Sequence, residues 1–342
     1  MSLLYKIEKH LENKLPFVAY KKKEDVEVKA FFQKNDILHK TQLNDKGFVF
    51  APFEFDDNAI LIPEESSDFV KEELLVQPFE NSHPYISFDE NAKKKHINIV
   101  EKGISAIHQQ LFKKVVLSRE EQVAGQYNPV TLFSNLLSAY PNAFVYLWYH
   151  PKVGMWLGAT PETLVKINQN RFETMSLAGT QVYIEGKEII WGSKEKDEQQ
   201  LVTDYIEENL KIICENIYVG DQETVRAGSL LHLKTTISGV LRSDLKSLIK
   251  ALHPTPAVCG FPTKEAKTFI LHNEGYSRQF YTGFLGELNL EESSQLFVNL
   301  RCMQLFDNSA SLYIGGGITK DSNPALEWEE TMAKSRVIKR VL

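Results

Sequence analysis

The 342-residue chain is 43% hydrophobic and 25% charged with a net charge of −6, the proportions of a soluble globular protein long enough for a sizeable core. That balance gives no overall attraction to nucleic acid or to an anionic membrane, and the runs Lys21–Lys23 and Lys93–Lys95 are short and flanked by acids, as solvated faces are. Cys214, Cys259 and Cys302 are too widely spaced for a zinc motif and odd in number for disulfides, so reduced, cytosolic chemistry is expected.

The opening segment MSLLYKIEKHLENK carries acids and no long apolar run, so a surface helix is expected there rather than a leader or membrane span. Short strand-like pieces follow up to about residue 90, among them 48–52 and 59–63. A helix is expected from about 91 through Ile104 and Leu111, a strand at 114–118, and a helix near 130–139. Strands are expected at 143–149, 155–157, 163–167 and 171–176, then a helix over 194–218 that Cys214 continues, and a strand near 230–237. Pro262 opens a further helix, since its missing amide hydrogen costs nothing at the first helical position. Strands at 280–288, 295–306 and 311–314 precede a last helix behind Pro324. Strands in runs, with helices inserted singly, argue an α+β fold with mainly antiparallel sheet. Neither G-x-G-x-x-G after a strand nor a P-loop motif is present.

Two helices carry acids in an unusual place. Val202, Ile206, Leu210 and Ile213 mark one helix face, and Glu198 and Glu195, at steps of four and three before Val202, extend that stripe toward the core. Glu327, Glu330 and Lys334 repeat the spacing. Acids at a helix start also complement its dipole, worth about 0.3–1 kcal/mol, but that does not ask for two on the core side. An inward carboxylate is costly without a cation. Oxygen donors of this kind suit magnesium, and the imidazole and thiolate pairs zinc favours are absent.

Three further positions stand out. Lys114 begins a strand with valine or leucine on both faces, so it either ends that strand in water or serves as a base in a desolvated site. Arg301 shares its expected strand face with Phe297, Asn299, Met303 and Leu305, where a guanidinium wants an anion from the protein or from a ligand. Gly315, Gly316 and Gly317 suit either a tight turn or a row of amides aimed at a carboxylate. Glu162, after Pro161, reads as a first-turn helix acid or as a proton donor. Together these imply a small substrate with more than one carboxylate.

Taken in order, Lys114-Val-Val-Leu-Ser-Arg119, Gly158-Ala-Thr-Pro-Glu162, Leu177-Ala-Gly-Thr180, Lys194-Glu-Lys-Asp-Glu198, the stretch 253–262, Gly315-Gly-Gly-Ile318 and Glu327-Trp-Glu-Glu330 with Lys334 resemble the chorismate-utilising enzymes, isochorismate synthase branch. The resemblance covers about residues 93–340. It implies an anthranilate synthase component I-like fold, one large domain of antiparallel sheets wrapped by helices, in which 1–92 complete the sheets and 93–342 form the catalytic region. It also implies a Mg2+-dependent interconversion of chorismate and isochorismate, feeding menaquinone or a catecholate siderophore.

Carried over position by position, the resemblance makes Lys114 the base for water adding at C2 and Glu162 the acid for the departing C4 hydroxyl. Glu198 and Glu330 would hold the metal, with Glu195 and Glu327 behind water. Thr180, Tyr281, Arg301, Gly315, Gly316, Gly317 and Lys334 would bind the carboxylates, and His232 would lie near the ring. Lys114, and Ala178 in place of a lysine, favour water as nucleophile, so no glutaminase subunit is expected, and a monomer is preferred. Salicylate synthase is the rival activity, though Ala257 resembles the isomerase branch, and a catalytically silent chorismate binder is the rival from another class. One departure is Gln199, where many relatives have histidine after the metal glutamate.

Overall fold

The computed structural model describes residues 2–23, 25–74, 89–186, 188–227 and 230–342, and within them every side chain but those of Thr180, Val182, Lys194, Ala227, Leu230 and Val337. Helix α1 (Leu3–Glu12) is followed by β1 (Phe17–Lys21), β2 (Val28–Gln33), β3 (His39–Lys40), β4 (Gly47–Ala51), β5 (Ile60–Pro63) and β6 (Ser67–Glu72). Next come α2 (Glu90–His108), β7 (Lys114–Ala124), α3 (Pro129–Ala139), β8 (Phe144–His150), β9 (Gly154–Thr160), β10 (Thr163–Asn168) and β11 (Arg171–Val182). Then α4 (Ser193–Lys211), β12 (Cys214–Ala227), β13 (Leu230–Leu241), α5 (Leu245–Leu252), β14 (Gly260–Phe261) and α6 (Thr263–Asn273). The chain closes with β15 (Phe284–Leu290), β16 (Ser293–Val298), β17 (Cys302–Phe306), β18 (Ser309–Ile318) and α7 (Pro324–Lys339).

The strands form two nine-stranded sheets. The first runs β14-β7-β18-β17-β9-β8-β1-β2-β6 and the second β12-β13-β11-β10-β16-β15-β4-β5-β3. Neighbours pair antiparallel, as the sequence suggested. Strands from the first ninety residues lie in both sheets.

Strand β8 shows why the sheets stack. Phe144, Tyr146 and Trp148 point into a core shared with Phe50 and Phe297 of the other sheet and with Phe280 in the turn before β15, while Val145 and Leu147 meet α3 on the outside. That period of two, apolar on both faces, makes a strand covered on both sides. Aromatic rings fill the space between sheets, with Phe50 and Phe280 stacked at 4.2 Å and Phe144 and Phe297 at 4.2 Å. Helices α4 and α5 cover the second sheet's outer face, and α2 and α6 cover the β7 end of the first.

Several boundaries differ from the sequence reading. Helix α4 stops at Lys211, and Cys214 starts β12 instead of continuing the helix; Ile212 is 85% exposed, so the apolar run there belongs to no helical face. The stretch 295–306 is two strands, broken at 299–301, where the chain passes from one sheet to the other. Leu111 lies beyond α2 and is exposed. Helix α5 was missed, although Asp244 caps it and Leu248, Ile249 and Leu252 mark its buried face. All three cysteines are free and buried, and among the described residues no helix is long and apolar enough to cross a membrane.

Candidate active site

The site lies at the seam between the sheets. Lys114 opens β7 in the first sheet, and its Nζ is 3.0 Å from Oε1 of Glu198, on α4 over the second. The α4 acids do not point into the core, contrary to the expectation from the helix stripe. Glu195 and Glu198 are half-buried, and the stripe that enters the core begins at Gln199, with Val202, Ile206 and Leu210 beyond it. On α7 the buried face is Trp328, Thr331, Met332 and Ser335, which leaves Glu327 half-buried and Glu330 exposed toward the cleft.

Gly315, Gly316 and Gly317 form neither a tight turn nor an amide nest; they are ladder residues of β18, opposite Ser118, Leu117 and Val116. Their use is steric. A Cβ on Gly315 would stand 2.6 Å from the Tyr281 hydroxyl, one on Gly316 3.4 Å from Glu327 Oε2 and 3.9 Å from Glu330 Oε1, and one on Gly317 3.1 Å from Lys114 Cε. The bare ladder lets Tyr281, the α7 acids and Lys114 close in on one strand. Lys334 completes this side, its Nζ 2.7 Å from Glu330 Oε1 and donating to the Gly315 carbonyl at 2.8 Å.

Glu162 and Arg301 lie on two of the crossovers between sheets, β9 to β10 and β16 to β17. Glu162 therefore heads no helix. The crossovers are stitched together: Val298 N donates to Glu162 O at 3.0 Å, Thr160 Oγ1 to Val298 O at 2.6 Å, and Ala159 N to Arg301 O at 3.2 Å. Arg301 sits at φ 47° between strands, not on a strand face, and forms no ion pair among the described residues, which leaves its charge for a ligand. Buried Asn299 braces this bend, donating to Phe280 O at 2.9 Å and accepting from the Tyr146 hydroxyl at 2.7 Å.

The electrostatics show these groups acting on one another. Burial pushes the Glu162 carboxyl up to about 7, against the pull of Lys114 and Arg301. His232, on β13, is lowered by burial and by the positive charges of Lys334, Arg301 and Lys114, although its Nδ1 lies 3.1 Å from the Gly179 carbonyl. Three cations thus bear on one imidazole, a field suited to a small polyanion. Tyr281 is buried and stacked on Tyr313 at 5.6 Å. Thr180 pairs with His232 through the backbone; its side chain lies outside what the structure describes.

Among the described residues no three acidic, imidazole or thiol groups close into a metal cluster; Glu198 and Glu330 are each turned onto a lysine. The donor set still fits a small hard cation. Buried Oε2 of Glu327 has no hydrogen-bond partner, and burial and neighbouring Glu330 raise this carboxyl. Both carboxylates stand beside Gly316. An unsatisfied buried oxygen beside a second acid is what a divalent ion would relieve.

Sequence reasoning missed the steric use of the glycines and the Asn299 brace. It also missed a buried ion pair, Glu274 with Arg278 at 2.5 Å, whose carboxylate accepts from Ser118 N and Oγ on β7. The four-residue spacing of the pair was the signal that could have found it.

A family model described as "Chorismate binding enzyme" matches residues 53–342. Isochorismate synthase EntC of Escherichia coli K12 is 30% identical over 234 residues, 65% of this chain and 60% of that one. A putative isochorismate synthase MenF of Mycobacterium tuberculosis is 34% identical over 247 residues, 66% of each. The matched stretch thus spans about three fifths of the first relatives' length. In fold, the chain is similar to the menaquinone-specific isochorismate synthase MenF of Escherichia coli, with a TM-score of 0.82, 20% identity, and 96% of this chain and 88% of that one covered. It is also similar to a putative 2,3-dihydroxybenzoate-specific isochorismate synthase, DhbC, of Bacillus anthracis, with a TM-score of 0.78, 24% identity and 98% of each chain covered.

Proposed function

The chain belongs to the chorismate-binding enzyme family, and on that premise we propose that it is a magnesium-dependent isochorismate synthase. The observation that carries this reading is Glu162, an acid raised to about 7 at a sheet crossover, with Lys114 and Arg301 both acting on it. A carboxyl still protonated near neutrality can donate a proton, and an amine within reach of the same site can accept one. The relatives named above, each called an isochorismate synthase, support the same reaction.

In this reaction Lys114 takes a proton from water as its oxygen bonds to C2 of chorismate. Both ring double bonds shift, C1=C2 to C1=C6 and C5=C6 to C4=C5, the C4–O bond breaks, and Glu162 gives its proton to the leaving hydroxyl. One water enters and one leaves. Arg301, Tyr281, Thr180 and Lys334 hold the substrate's carboxylates, the bare strand at Gly315, Gly316 and Gly317 leaves them room, and His232 lies beside the ring. Glu198 and Glu330 would hold magnesium directly, with Glu195 and Glu327 behind water. The ion, when bound at the ring carboxylate, stabilises the charge that develops as C4–O breaks. Were Glu198 to hold a cation instead, Lys114 would lose the carboxylate that now pairs with its ammonium form, and it would act as base only after giving up that proton. No ammonia-supplying subunit is required.

Purified protein with chorismate and magnesium, its products resolved by chromatography, tests the reading. Isochorismate is the expected product. An aminated product formed with ammonia, without isochorismate, would contradict it, and salicylate with pyruvate would assign the chain to the salicylate-forming activity instead.

A further inference from the structure

Gln199 follows Glu198 on α4 and is fully buried. Its Nε2 lies 2.9 Å from Ser176 Oγ on β11, 3.0 Å from Thr203 Oγ1 one turn along α4, and 2.9 Å from Thr235 Oγ1 on β13. Its Oε1 accepts from Gln222 Nε2 on β12 at 2.6 Å. The nitrogen has two hydrogens for three hydroxyl oxygens, and the contact between Ser176 Oγ and Thr203 Oγ1 at 2.7 Å takes up the remainder. Thr203 also donates to the Gln199 carbonyl at 3.1 Å. One amide thus ties α4 to three adjacent strands, two of which carry Thr180 and His232.

The other directional contacts within this helix lie further along it, the Tyr205 hydroxyl with Thr263 Oγ1 and Asn209 Nδ2 donating to the Ala251 carbonyl, so near the acids the Gln199 amide sets the rotation. The helix N-cap is Gly192, with no side-chain hydrogen bond, and its core contacts, Val202, Ile206 and Leu210, are apolar and non-directional. Hydrogen bonds have preferred angles. A carboxylate tip stands roughly 6 Å from a helix axis, so a rotation of about 20° would carry it about 2 Å, whereas ligand distances at a metal hold to about 0.2 Å. A buried polar network adds little stability over an apolar one of the same shape; what it provides is a unique arrangement.

We infer that Gln199 is a positioning residue for the cation site: it fixes the rotation of α4 and thereby where Glu198 and Glu195 stand. The inference rests on the proposed function, because it needs those acids to be ligands. Gln199 touches neither substrate nor metal, so its effect falls on metal affinity before chemistry.

Magnesium binding to the full-length wild type and to Gln199→Met, measured by calorimetry without substrate, tests it, alongside kcat at saturating magnesium and thermal unfolding. Methionine keeps the length and removes every hydrogen bond. The expected result is magnesium affinity weakened at least about tenfold, with kcat at saturating metal within about threefold of wild type. Unchanged affinity with a lowered Tm would overturn the inference and leave Gln199 a structural residue. If Gln199→Met does not fold, Thr235→Val decides: affinity weakened about threefold supports the inference, and unchanged affinity overturns it. Wild-type protein that binds no magnesium would overturn the proposed function and this inference together. Wild-type binding and turnover, with an unaltered variant affinity, would overturn this inference alone.

Discussion

The two acidic helices are fastened by opposite chemistry. Helix α4 lies on the second sheet and is held by a neutral clasp, one amide among hydroxyls. Helix α7 lies on the first sheet and is held by charge. Arg119 of β7 donates to Thr331 Oγ1 at 2.9 Å, lies 4.7 Å from the Trp328 ring centre, and pairs with Glu121 at 3.0 Å. Glu121 accepts from Ser335 at 2.7 Å and is paired with Lys339. Lys114 lies on the same strand as these anchors. Lys114 and the α7 acids are therefore carried by one anchored unit, whereas the α4 acids reach the seam from the second sheet. Disturbing α7 should cost fold stability, and disturbing α4 should cost mainly metal geometry.

The largest effects are expected at the seam, where the two units meet. Lys114→Ala and Glu162→Gln should each lower kcat by about 10²–10⁴, while chorismate still raises Tm in both. A variant that kept wild-type turnover would remove its residue from the chemistry.

On the α7 side, Arg119→Met strips a buried guanidinium from Glu121 and Thr331 and should lower unfolding stability by about 3 kcal/mol, read from urea denaturation. Gln199→Met should lose less. The reverse order would break the comparison.

Acid should also loosen α7 selectively. His96 of α2 is buried 5.9 Å from Trp328, neither ring nitrogen has a hydrogen-bond partner among the described residues, and burial, helped by the charge of Arg119, lowers it to about 4. The unfolded chain takes up this proton near pH 6.5 but the folded one only near 4, so the stability is present above 6.5 and is lost as pH falls through that window. Between pH 7 and pH 5 the loss is about 2 kcal/mol. In His96→Phe that increment of acid sensitivity should vanish; a variant as acid-sensitive as wild type would contradict the assignment.

The smallest expected effect is a slope. In the proposed reaction Glu162 must be protonated, and its carboxyl is raised to about 7, so kcat should fall about tenfold per unit as pH climbs beyond that value. No alkaline fall near 7 would mean that another group supplies the proton.

What could be read from the sequence was whatever local spacing encodes. Pro324 announced α7, and the pattern of apolar residues announced most strands. Ion pairing across the seam could not be read, because Lys114 and Glu198 are 84 residues apart. The helix stripe misled at Glu198: the 3.6-residue period does not say where the core ends and the cleft begins, and Gln199 holds the inward position instead. Arg301 misled similarly, since one left-handed residue at a sheet crossover defeats a period-two pattern. The three glycines were visible, but what they make room for depends on α7, Tyr281 and Lys114, which arrive from three separate stretches of chain.

The most direct test of the shared seam is a crystal structure of the protein with magnesium and chorismate bound. The account predicts one ion contacted by carboxylate oxygens of both Glu198 and Glu330 at about 2.0–2.1 Å, with Lys114 released from Glu198. An ion held by one helix alone, with the other's acids still paired to lysine, would contradict it.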